Sequence, residues 1–162
     1  MKSILIILVG FVCVVFLIGC GSDHTHEHDH DHEHTHSEPH YHEPPHGGAG
    51  VTLGDEDAHI EFLVEPQDGI VYAWFFKPHM ASYLRVQFES FNIVVKKPDG
   101  EVEWKFQAVA NPGTGETVGD TSQFVAKVDG IEEKPFDAVI PEITVLGKVY
   151  KNVAFNYPKG NQ

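Results

Sequence analysis

The chain has 162 residues, a formal net charge of −13 with histidine neutral, twelve histidines and only two cysteines. That charge makes nucleic acid and anionic membrane surfaces poor partners and cations good ones. Both cysteines, Cys13 and Cys20, lie near the start, so the remainder has no disulfide and no thiolate for zinc or iron–sulfur chemistry.

The first segment opens Met1-Lys2 and continues ILIILVGFVCVVFLIGC, uncharged from Ile4 to Cys20. A basic start followed by an apolar run is the pattern of a secretory signal. Its end, Leu17-Ile18-Gly19-Cys20, resembles the lipobox of bacterial lipoproteins. The resemblance implies that residues 1–19 are a signal peptide, that Cys20 becomes the lipidated first residue, and that the protein faces the periplasm or the exterior from a membrane. Residue 21 is Gly where that family's inner-membrane retention signal is Asp, which implies the outer membrane where the cell has two. An uncleaved anchor is the alternative, since about 18 apolar residues just span a bilayer. Either way a membrane tethers the same domain.

Residues 20–50 follow as a linker of unusual composition. Ten histidines occupy His24, His26, His28, His30, His32, His34, His36, His40, His42 and His46. Seven acidic residues from Asp23 to Glu43 accompany them, with no Lys or Arg. So polar a stretch cannot bury enough surface to offset its ordering entropy, and it is expected to be disordered. Neutral imidazole suits zinc, copper(II) and nickel, and interleaved carboxylates raise the local cation concentration. The pattern therefore predicts several exchangeable divalent ions, zinc first, with copper or nickel next. A spacer needs polarity but has no reason to choose histidine. From a charge of −7 with these histidines neutral, the window reaches +3 with all ten protonated. Binding is thus expected above about pH 7 and release below about pH 6.

The zincin pattern His-Glu-x-x-His occurs at 26–30, 32–36 and 42–46. Its chemistry needs a helix that points both histidines one way with the glutamate beside them. The first two matches have no apolar face to dock a helix, and the third contains Pro44 and Pro45. A hydrolase would lose its activity on Glu27→Gln, Glu33→Gln or Glu43→Gln; none is expected.

From Val51 the period becomes two, which predicts strands over 51–53, 58–64, 70–77, 83–86, 91–96, 102–109, 123–128, 136–140, 143–146 and 149–155. Turns fall at Glu65–Gly69 and Pro98–Gly100, and Asn111–Asp120 is a loop. No helix is expected. Short strands at regular spacing over 51–162 predict an all-β domain, an antiparallel immunoglobulin-like β-sandwich, with a small β-barrel as the alternative.

If Glu65–Gly69 closes a hairpin with Val64 opposite Ile70, His59 lies opposite Phe75, on the face of Glu61, Val71, Ala73 and Lys77. His79 shares that parity, although Pro78 interrupts the strand. His59 and His79, with His46 folding back and Glu61 or Met80 beside them, are the candidate metal site of the domain. The bland alternative makes His59 a surface strand residue and His79 a loop residue. Trp74 and Trp104 read as strand residues. The layout His46-Gly47-Gly48, Val51-Thr52-Leu53-Gly54, His59-Ile60-Glu61-Phe62 and an aromatic strand ending near His79 is similar to small periplasmic domains that accompany heavy-metal efflux systems. That family carries an Asp before its last His, where this chain has Lys77-Pro78. The resemblance implies metal handling beside a transporter or efflux component.

No arrangement of nucleophile, base and acid and no phosphate loop appears, so an enzyme is not expected. The expectation is a lipid-anchored, extracytoplasmic binder of divalent transition metals for capture, buffering or transfer. The rival is a surface immunoglobulin-like protein-interaction module with the histidine stretch as a spacer.

Overall fold

The computed structural model describes residues 41–162. The signal segment, Cys20 and the histidines from His24 to His40 lie outside the described residues. Eight strands form in chain order: β1 (Ala49–Leu53), β2 (Ala58–Glu65), β3 (Ile70–Phe76), β4 (Ser90–Lys97), β5 (Gly100–Ala108), β6 (Gln123–Lys127), β7 (Phe136–Val145) and β8 (Lys148–Tyr157). All pairings are antiparallel, and one sheet runs in the order β1-β2-β3-β6-β5-β4-β7-β8. The domain is all-β, a single sheet nearly closed into a barrel. No α-helix forms among the described residues.

Aromatic alternation drives the closure. Phe62 on β2 stacks on Phe155 of β8 at 4.7 Å between ring centroids and meets Phe106 of β5 edge-on at 5.5 Å. Strands far apart in the sheet order therefore share one interior, with Phe75, Phe91 and Phe124 filling it. Each fully buried phenylalanine contributes roughly 1.5–3 kcal/mol. At the seam, Asn161 reaches β1: its backbone N–H donates to the Gly50 carbonyl at 3.2 Å, and its side chain brackets Thr52.

Three expectations change. Tyr83–Val86 is no strand; it makes only single bridges, Phe76 to Tyr83 and Val86 to Thr121. The two strands predicted over 136–146 are one, because the register with β8 skips Pro141 and resumes at Glu142 opposite Lys151. The β2–β3 hairpin is shifted by one residue: Glu65 faces Ile70, and His59 faces Phe76 instead of Phe75. A one-residue slip turns a whole strand over. Ile60, Phe62 and Val64 thus share the interior with Val71, Ala73 and Phe75. His59 and Glu61 share the outer face with Trp74 and Phe76.

Candidate metal centre

At its His59–Glu61 end the outer face of β2–β3 is closed to water. His59 and Glu61 are fully buried and Phe76 nearly so. The chain before β1 covers them: residues 41–48 fold back across this face, Pro44 is buried, and the His46 ring stacks on Trp74 at 3.8 Å and 16°.

Three side chains converge at the end of the sheet where β2 begins and β3 finishes. Glu56 sits in the tight turn between β1 and β2. His79 sits in a short 3-10 turn, Pro78–Met80, after β3. His42 comes from the covering segment. His42 Nε2 lies 3.1 Å from His79 Nδ1 and 3.6 Å from Glu56 Oε1, and His79 Nδ1 lies 3.3 Å from Glu56 Oε2. The three ligand atoms fall within 4.8 Å of one another. Zinc bonds to imidazole and carboxylate are about 2.1 Å long, so a tetrahedral ion spaces its ligands by about 3.4 Å. The two imidazole nitrogens lie slightly inside that value, and the carboxylate presents a different oxygen to each of them.

Two of these residues hold costly backbone conformations. Glu56 has φ 61° and His79 has φ 58°, left-handed values that a side chain with a Cβ seldom takes. Such a conformation costs ~1–3 kcal/mol per residue; Met80, Leu146 and Asn152 hold it as well. The centre remains reachable from solvent, with the His79 side chain 62% exposed.

His59 stands behind the centre. Its Nε2 accepts the His79 backbone N–H at 3.2 Å, so the ring proton sits on Nδ1, 3.2 Å from Thr52 Oγ1. Burial, then the neighbouring His42, pushes its pKa below the usual histidine range. A neutral His59 thus orients the backbone of His79. His46, the other histidine expected here, forms a separate group. Its Nδ1 lies 2.7 Å from Glu61 Oε2 and its Nε2 lies 3.1 Å from the Tyr83 hydroxyl.

Of the candidate set His59, His79, His46, Glu61 and Met80, only His79 lies in this cluster; Glu56 has no place in that set, and His42 is expected only among the linker histidines. The acidic run Asp55-Glu56-Asp57 was the available signal, since a four-residue turn after β1 points to the same sheet end as the chain leaving β3. Neither protein-family models nor searches of curated proteins and solved structures give a match to this chain.

Proposed function

We propose that this chain is a lipid-anchored, extracytoplasmic protein that captures divalent transition metals, zinc first, and that its β-domain holds one ion at His42, Glu56 and His79. The observation that carries the domain site is the convergence of two imidazole nitrogens and a carboxylate, one ligand atom from each within 4.8 Å of the others. This N₂O donor set suits zinc, copper(II) or nickel, and no thiolate or thioether in it favours copper(I). A fourth position is left for water or an exchangeable donor, which suits a protein that takes up and releases ions. The histidines from His24 to His40 supply a looser reservoir, and the lipid at Cys20 holds both at a membrane, beside a metal transporter or efflux component. Binding, not catalysis, is the role.

For the architecture, unbroken pairing through all eight strands supports the small barrel over a two-sheet immunoglobulin-like sandwich.

Zinc calorimetry at pH 7.5 on three full-length chains tests the reading. The parent is expected to take several ions. Replacing the eight histidines from His24 to His40 with serine is expected to leave one. Adding His79→Ala to that variant removes it. No heat from the parent would instead favour an interaction module with the histidine stretch as its spacer.

A further inference from the structure

We infer that Glu61 is a positioning residue for the ion: it pins the arm that carries His42, so that ion binding and docking of residues 41–48 are one coupled equilibrium. The inference rests on reading His42, Glu56 and His79 as an ion site. Two of those ligands sit on turns fixed by paired strands, whereas His42 sits on a segment that pairs with no strand.

One carboxylate, fully buried on β2, bonds to that segment three times. Glu61 Oε1 accepts the backbone N–H groups of His46 at 2.9 Å and Gly48 at 2.8 Å. Its Oε2 takes the His46 ring at 2.7 Å. Glycine at 48 permits the approach, since a Cβ there would lie 2.3 Å from the Phe62 carbonyl oxygen. Pro44 and Pro45 stiffen the few residues from His46 back to His42. A second tether meets the ligand residue itself, whose backbone N–H donates to Gln162 Oε1 at 2.9 Å.

No Glu61 oxygen belongs to the ion cluster. Its effect passes through the docked fraction of the arm: the apparent dissociation constant is the intrinsic one divided by that fraction. Coupling is reciprocal, so the ion must hold the arm down by the factor by which the arm tightens the ion.

The test uses the full chain with the eight histidines from His24 to His40 replaced by serine, which isolates the domain's ion. In it, Glu61→Ala is expected to weaken zinc about tenfold, as loss of a supporting partner does. Glu61→Gln is expected to recover most of that, because its Oε1 still accepts both backbone N–H groups. Zinc is also expected to slow hydrogen exchange at the His46 and Gly48 amides, and not in His79→Ala. Should Glu61→Ala fail to fold, the amide exchange and the Glu61→Gln and His46→Ala affinities carry the test. Zinc binding that leaves those two amides unprotected overturns the coupling, as does a folded Glu61→Ala that binds zinc like its parent. A parent that binds no zinc, or His79→Ala that binds it equally, overturns the ion site itself.

Discussion

The domain buries two carboxylates, Glu61 and Glu116, and they do different work. Glu116 closes its own loop. It accepts the Ser122 N–H at 2.8 Å, the Ser122 hydroxyl at 2.6 Å and the Thr114 hydroxyl at 2.5 Å, with Arg85 Nε 4.0 Å away. Every hydrogen-bond partner lies within six residues. Glu61 reaches instead across 13 and 15 residues to a segment outside the sheet. A buried carboxylate with local partners shapes a loop; one with distant partners decides whether a separate piece of chain is present. Only the second can govern a site that the distant piece helps to build.

Mutations separate the two roles. The largest expected effect is at the ligands: with the tail histidines replaced, Glu56→Gln or His79→Ala lowers zinc affinity more than about 100-fold, beyond the range of supporting residues. Calorimetry or competition with a chromophoric chelator reads this. Glu116→Ala is expected to destabilise the domain by about 1–3 kcal/mol in urea melts, because it leaves the buried Ser122 N–H without a partner. Zinc affinity should not change, and a parallel loss of both would erase the distinction.

Acid gives a subtler contrast. Burial alone raises the Glu116 carboxyl, but hydrogen bonds from Ser122 and Thr114 outweigh it and hold the group below the usual glutamate range. Its contribution is therefore complete above the unfolded value of about 4.3 and is lost as pH falls through the folded value. Thermal melts between pH 5 and 3 should fall less steeply in Glu116→Gln than in the parent. The smallest expected effect is Thr114→Ala, about 1 kcal/mol, confined to stability.

Much of the fold is legible in the residues. Alternation located β2, β3, β4 and β5 to within two residues, and Asn111–Asp120 is the loop its glycines suggest. What escaped was set by distant partners. Glu65–Gly69 reads as a turn, yet nothing local says whether Val64 or Glu65 faces Ile70. Pro141 reads as a break, but the strand absorbs it where β4 no longer pairs with β7. His59 and Glu61 alternate with apolar neighbours as outward residues do; the arm folded over Glu61, and the arm with the His79 turn over His59, bury them. The cluster was less legible for the same reason: of its three residues His79 stands out as one of two histidines beyond the linker, while Glu56 and His42 join it through a turn and an arm.

The most direct measurement is zinc titration of the full chain with the eight histidines from His24 to His40 replaced, beside the same chain carrying His79→Ala. One ion in the first and none in the second is the expected result. No ion in the first, or an equal ion in both, would contradict a metal centre at His42, Glu56 and His79.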